Sequence, residues 1–330
     1  MNDKIDFVII WVDGNDPKWL EEKSKYTANK LADSSNVRYR DWDNLKYWFR
    51  GVEKYASWVN KIYFVTWGHL PEWLNTDNPK LEIVKHEEYI PEEYLPTFSS
   101  HPIELNLHRI KGLSNNFVYF NDDLFIINQT KDTDFFENNL PKDSACLYVN
   151  IPTGTIVDNI ITNDISIINK HFNLKKVIKS NFKKWFTLKN GKFLYNNIFL
   201  YPFQNFPGIR FEHLPNSFNK KTYEKLWELE YDKLNETCCH KYRNGMDVNQ
   251  WLMKYWQICE GEFSPRNINW GFYYEYAKTQ SDLEELILSN KYKTICLNDA
   301  SVECDFEMEK KKTIEIFEKK FPEKCSFEKD

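Results

Sequence analysis

Two periodicities organise the first half of the chain. Residues 5–12, IDFVIIWV, are an apolar run, interrupted only by Asp6 and rich in β-branched side chains, that stops at the turn sequence DGNDP, which predicts a buried strand with a loop at its carboxyl end. Residues 43–56, DNLKYWFRGVEKYA, instead space Leu45, Trp48, Phe49, Val52 and Ala56 at helical intervals, with Asp43 standing where an N-cap is wanted. KIYFVTW at 61–67 and LEIVKH at 81–86 read as further strands. The stretch SSHPIELNLHRIKGL at 99–113 predicts a helix capped by Ser99 or Ser100, with Pro102 near its first turn and an apolar stripe of Ile103, Leu107 and Ile110. It leads into another strand, FVYFNDD at 117–123.

The second half is less regular. From about 151 to 210 it is rich in Asn, Lys and aromatic residues without a clear period. Helical patterns return at 221–234, 246–259 and 281–291, and a short apolar strand, KTICLNDA, closes the pattern at 293–300. No repeat at a fixed period is visible. Strands alternating with helices imply an α/β fold: a Rossmann-type, mostly parallel sheet with right-handed crossovers, followed here by a helical second half. Ligands of such sheets sit in the crevice at the strand carboxyl ends.

That rule makes the strand ends the place to look for chemistry. Asp13 and Gly14 follow the first strand, Thr66 to Gly68 the next, and Asn121, Asp122 and Asp123 end the strand at 117. Successive side chains alternate across a strand, so at least one of the two aspartates faces the crevice. The plainer alternative is a turn cap beside a solvated carboxylate. Asn298 and Asp299 repeat the same logic at the end of the late strand, and two such dyads can converge on one hard divalent cation. Asn-Asp is also a common turn pair, so both readings stand at this point.

Composition narrows the classes. The 330 residues are 42% hydrophobic and 28% charged, with a net charge of -5, enough for one large α/β domain or a core domain with an insertion. No basic stretch exceeds the EKKKT run near residue 310, which argues against a nucleic-acid partner. No segment has the apolar length of a membrane span, and the start MNDKIDFVII lacks the features of a secretory signal. A cytoplasmic location is expected, with a peripheral place at the inner face of the membrane left open. The seven cysteines, among them Cys304, form no paired C-x-x-C pattern and read as reduced thiols.

Taken together, the segments 5–17, 40–74 and 95–125 resemble the Stealth family, with weaker matches at FEHLPNSF (211–218), KYRNGMDV (241–248) and CLND (296–299). That family includes bacterial capsular polysaccharide phosphotransferases and the catalytic subunit of the animal N-acetylglucosamine-1-phosphotransferase. The resemblance carries nothing between 126 and 210. It implies a GT-A-like core and transfer of a hexosamine 1-phosphate, with N-acetylglucosamine the commonest sugar, from a UDP-sugar donor to a hydroxyl of a glycan or sugar acceptor. UMP would leave and a phosphodiester would remain, in capsule or exopolysaccharide synthesis. The alternatives are an ordinary glycosyltransferase that releases UDP and a non-catalytic glycan-binding module. The implied division is a nucleotide-sugar-binding core at 1–150, an insertion and helical region on the acceptor side at 151–290, and a final core strand and helix at 291–330.

Carried over onto this chain, the family's functional positions fall on Glu104, Asp122, Asp123, His213, Arg243 and Asp299. Asp122, Asp123 and Asp299 are the implied ligands of Mg²⁺ or Mn²⁺. A diphosphate donor needs such charge neutralisation, since phosphoryl transfer is catalysed mainly by positioning and electrostatics. Histidine is the side chain best suited to a general base, which makes His213 the candidate with Asp123 the other, and the planar fork of Arg243 suits a phosphoryl group. Alone, His213 would be a loop histidine, Arg243 a surface arginine and Glu104 half of a solvated pair with His108. Asp13, Gly14, Asp43, Asn44, Arg50 and Asn121 complete the expected donor pocket. One departure from the family pattern is Tyr242, where a phenylalanine usually precedes the arginine.

Overall fold

The computed structural model describes residues 3–26, 32–33, 39–299 and 305–329. Its main sheet is laid down by the apolar runs: β1 (Ile5–Ile10), β2 (Ile62–Thr66), β3 (Leu81–Lys85) and β4 (Asn116–Phe120). A short strand β5 (Leu124–Ile126) follows β4, and β6 (Asn216–Asn219) arrives from the second half of the chain. In space the order is β3-β2-β1-β4-β6. The first four strands are parallel and β6 is antiparallel. The sheet is thus the mostly parallel one that the strand and helix alternation implied.

Both faces of this sheet are covered, which is why the central strands β1, β2 and β4 are mostly apolar, while the edge strand β3 carries Glu82 and Lys85. Alternation sends Val8, Tyr63, Phe117 and Tyr119 to one face, where they join a core containing Ile103, Ile161, Leu226 and Leu252. Phe7, Ile9, Phe64 and Phe120 go to the other, packing with Trp48, Phe49 and Phe317. A second sheet, ordered β7 (Gly271–Glu275), β8 (Thr294–Asn298), β5, lies beside the first. β8 runs antiparallel to β5 in the register Cys296↔Leu124. Asn121, Asp122 and Asp123 therefore occupy the joint between the two sheets.

Several local expectations change. Asp43 does not cap the helix, which spans Leu45–Tyr55 with Asn44 as N-cap residue. Asp43 adopts φ 49, and its amide donates to Asp41 Oδ1 at 2.8 Å, forming a turn ahead of the helix. The helix expected over 99–113 is only Ser100–Leu105, capped by Ser99. It stops because Asn106 turns its amide back onto the Pro102 carbonyl at 2.8 Å; a 3₁₀ turn, Leu107–Arg109, continues the path and still buries Leu107. The pattern at 221–234 divides into Lys220–Leu229 and Tyr231–Cys239, with Glu230 between them. The stretch without periodicity holds the helices Ile156–His171, Leu174–Ser180, Phe182–Trp185 and Leu194–Leu200.

Six cysteines are free thiols, and Cys304 lies outside the described residues. Among the described residues no helix is long and apolar enough to cross a membrane.

Candidate active site

The turn at the joint between the sheets is fixed from both sides. Leu124 donates its amide to Asn121 O at 3.2 Å, and Leu297 donates to Asp123 O at 2.8 Å. The second bond brings the end of β8, and with it Asn298 and Asp299, beside Asn121, Asp122 and Asp123. All five line one cavity of about 150 Å³, together with His213 and Arg243. His213 Nε2 lies 3.1 Å from Asn121 Nδ2 and 3.8 Å from Asp123 Oδ1. With Asn121 in this orientation its amide donates and Nε2 accepts.

Crowding of carboxylates sets the electrostatics. Burial, reinforced by the charges of Asp123 and Asp41, pushes the Asp122 carboxyl up to about 7. Burial also raises Asp41, with help from Asp43 and Asp13. Asp299 is raised by burial although Arg40 and the Trp42 indole N–H, 3.2 Å from its Oδ2, oppose the shift. Among the described residues of this cavity, Asn121 Oδ1, Asp123 Oδ1 and Asp299 Oδ1 are buried without a hydrogen-bond partner. Orphaned acceptors among mutually repelling acids fit a hard divalent cation, which takes oxygen ligands and cancels the repulsion. Asp123, His213 and Cys296 also have donor atoms within 4.8 Å of one another. Burial raises the Cys296 thiol well above its usual range, and a protonated sulfur is a poor ligand for Mg²⁺ or Mn²⁺.

Two further cavities meet the first at Asn121 and Arg243. One, of about 110 Å³, is walled by the rings of Trp11, Trp19, Tyr39 and Phe98. The other, of about 740 Å³, is lined by polar and aromatic groups that include Glu104, Arg210, Glu212, Trp251 and Tyr273. Arg243 stands on the two-residue strand Arg243–Asn244, paired with Ala32–Asp33, and donates to Ser100 Oγ at 2.9 Å. Glu104 is buried rather than half of a solvated pair with His108: it accepts from Tyr119 Oη at 3.1 Å and from the Gln250 amide at 3.4 Å.

Not every expected pocket residue reaches the cleft. Arg50 is buried against the C-terminal segment, its Nε 2.7 Å from Glu328 Oε1 and its Nη1 donating to Phe321 O at 2.7 Å. The helix simply points it away from the strand ends. Gly14 packs so closely on Tyr39 that a Cβ would lie 2.1 Å from the Tyr39 carbonyl oxygen. Asp13 shapes the loop after β1, its amide donating to His69 Nε2 at 2.7 Å. Asp43 is exposed and pairs with Lys310 at 2.5 Å, whereas Asn44 does line the acidic cavity.

Sequence reasoning passed over Arg40, Asp41 and Trp42, which line the acidic cavity; their signal was the charged and aromatic run RDWDN just before a helix. It also passed over a buried chain of groups behind Arg243. Asp247 accepts from His101 Nδ1 at 2.7 Å, from His240 Nδ1 at 2.6 Å and from the Asn244 amide at 2.8 Å. Burial works against the Asp247 charge, yet those hydrogen bonds hold its carboxyl below the usual range. The network ties the helix bearing Glu104 to the strand bearing Arg243.

Fold and site define a class: an α/β protein whose mostly parallel sheet carries a polar cleft at the carboxyl ends of its strands. The chain belongs to the Stealth family. Residues 3–31 match Stealth protein CR1, conserved region 1, and residues 38–143 match CR2, conserved region 2. It is 47% identical to the capsular polysaccharide phosphotransferase WcwK of Streptococcus pneumoniae, over 99% of this chain and 98% of that one. It is 39% identical to the receptor polysaccharide phosphotransferase WefC of Streptococcus oralis, over 98% and 99% of the two chains. Among solved structures, a galactosyltransferase, LgtC, in complex with donor and acceptor sugar analogues, aligns over 95% of both chains with a TM-score of 0.41 and 10% identity.

Proposed function

We propose that the chain transfers a hexosamine 1-phosphate, with N-acetylglucosamine 1-phosphate the expected group, from a UDP-sugar to a hydroxyl of an acceptor glycan in capsule or exopolysaccharide synthesis. The observation that carries the reading is the convergence, where three cavities meet, of the His213 imidazole, the guanidinium of Arg243 and acids with orphaned oxygens. The aromatic cavity suits the flat uracil base. The large cavity, to which residues 151–290 contribute most of the wall, suits the acceptor.

In this reading the acceptor oxygen attacks the phosphorus bonded to the donor sugar. His213 Nε2 takes the hydroxyl proton as the new P–O bond forms. The bond from phosphorus to the uridylate oxygen breaks, its electron pair leaves with UMP, and the sugar keeps its phosphate as a phosphodiester. Arg243 faces the equatorial oxygens on which charge develops. Asp122, Asp123 and Asp299 would hold a Mg²⁺ or Mn²⁺ ion, which supplies neutralisation of the diphosphate when bound. Glu104, set by Tyr119 and Gln250, orients the donor sugar.

Incubation with a panel of UDP-sugars, a divalent cation and an acceptor glycan tests this. UMP as the spent nucleotide, with a phosphodiester in the glycan by phosphorus NMR, is the expected result. Stoichiometric UDP and a phosphate-free glycan would replace the phosphotransferase reading by that of a glycosyltransferase.

A further inference from the structure

The short helix Leu194–Leu200 is built inside out. Asn197 is fully buried: its Oδ1 accepts from the Leu147 amide at 2.6 Å, and its Nδ2 donates to Ala145 O at 2.9 Å and to Trp185 O at 2.7 Å. Asn196 adds a bond to Leu147 O at 3.1 Å. Of the five apolar residues of the same helix, Leu200 packs against the core, while three face outward, Tyr195 being 65%, Ile198 52% and Phe199 73% exposed. A helix whose outer side meets only water turns its apolar face inward. Here the inward face is fixed by asparagine bonds, so the outward face is left for an apolar phase outside the protein. Leu188, 89% exposed, and Phe182 extend it. Phe182 stacks on Phe186, whose ring meets Tyr201 edge-on, so these segments share one surface.

The charge of this stretch of chain is one-sided. Between Asp164 and Glu212 there is no Asp or Glu, while there are eight Lys and Arg210, in a chain whose net charge is -5. Lys175, Lys176, Lys179, Lys183, Lys189 and Lys192 are exposed. Exposed rings and exposed lysines in one stretch of chain match an anionic bilayer, where apolar side chains enter the interfacial layer and lysines meet lipid phosphates. A second copy of the chain docked on the same face would set lysines against lysines.

We propose that this face seats the protein on an anionic lipid bilayer, with Tyr195, Ile198 and Phe199 in the interfacial layer and the lysines on the headgroup phosphates. The same segment abuts the large cavity. The Phe193 ring lies under the Arg210 guanidinium at 4.2 Å, and a Cβ on Gly191 would lie 2.8 Å from Ile268 Cδ1; Arg210 and Ile268 both line that cavity. Docking therefore holds the cavity beside the membrane, and a lipid-carried acceptor is its natural occupant, a corollary that rests on the proposed function.

Co-sedimentation with vesicles of phosphatidylglycerol and phosphatidylcholine, against phosphatidylcholine alone, tests the docking. Wild type is expected to partition onto anionic vesicles at least about tenfold more strongly, and less so as salt rises. The triple variant Leu188→Ser, Ile198→Ser, Phe199→Ser should lose that partition about tenfold or more, with an unchanged thermal transition and unchanged nucleotide release on a water-soluble acceptor. Lys175→Glu with Lys176→Glu and Lys183→Glu should lose it as well. Failure of wild type to bind anionic vesicles, or equal binding by the serine variant, would overturn the proposal. So would a wild-type dimer, seen by sedimentation velocity without lipid, that the serine variant dissociates. If vesicle binding behaves as expected but no UMP is released with any donor, the docking stands and the proposed reaction fails.

Discussion

His213 and Arg243 are expected to matter through different quantities. In the proposed reaction His213→Ala removes the proton acceptor and Arg243→Ala the positive charge facing the transferred group. Each should lower kcat by about two orders of magnitude or more while leaving the fold intact, as far-UV circular dichroism and the thermal transition would show. Near-normal turnover in His213→Ala would move the base to a carboxylate such as Asp123. The network behind Arg243 has its own signature in pH. The hydrogen bond that His240 donates to Asp247 raises the His240 pKa above its ordinary value. That contribution to stability is complete below the unfolded pKa of about 6.5 and is lost as pH rises through the folded value. Asp247 is shifted down, so its contribution is present above the unfolded carboxylate pKa of about 4 and is lost as pH falls through the folded value. The melting temperature of wild type should therefore exceed that of His240→Asn most clearly near pH 5 to 6 and converge on it above pH 8, by calorimetry across that range. A constant difference over the whole range would mean that the histidine acts by packing alone.

At the level of elements, the site depends on how closely the helix Leu45–Tyr55 lies on β5, the strand that leaves the aspartate turn. Gly51 makes that approach possible, since a Cβ there would lie 2.4 Å from the Ile126 carbonyl oxygen. Backbone cannot retract as a flexible side chain can, so Gly51→Ala should force the helix off the strand and cost about 1–3 kcal/mol by denaturant unfolding. Because β5 begins directly after Asp123, the same variant should lose activity as well as stability. Full activity in a folded Gly51→Ala would show that the turn is held by its bonds to β8 alone.

For the molecule as a whole, the C-terminal segment is a clasp on that same helix. Arg50 makes two bonds to the Glu328 carboxylate, at 2.7 and 2.8 Å, both groups being largely buried. Phe327 packs near Phe49, and its carbonyl accepts from the Asn75 amide at 2.8 Å. Glu328→Ala leaves the buried guanidinium with only the Phe321 carbonyl and the part-exposed Glu318, 3.6 Å away, and should destabilise the protein by up to about 3 kcal/mol, read from the urea midpoint. Its catalytic constants at temperatures where it remains folded should be near those of wild type, since Arg50 lies away from the cleft. Metal dependence is the other whole-molecule test. Excess chelator should abolish transfer and added Mg²⁺ or Mn²⁺ restore it, and full activity in chelator would leave the acidic cavity without a cation role.

Much of the main sheet was legible in the chain because alternation and unbroken apolar runs are local consequences of burial on one or two faces. β1, β2, β3 and β4 and the polar turns after them follow from residues within a few positions of one another. The family likeness came from such local stretches too. What only the tertiary structure decided is which distant turns meet. Asp299 reaches the cavity of Asp122 because β8 pairs with β5, a matter of sheet topology that no periodicity encodes. Asp247 unites His101 and His240 across 146 and 7 positions of sequence. Arg50 falls within a well-matched segment yet points to the C-terminus, because its place on the helix face, rather than its neighbours in sequence, sets its direction. The region from 151 to 210 hid its helices for a related reason. A helix such as Leu194–Leu200, which buries asparagines on backbone carbonyls and exposes its rings, reverses the polarity that a reader of amphipathic patterns depends on, and only the folded partners of Asn197 reveal which side is the inside.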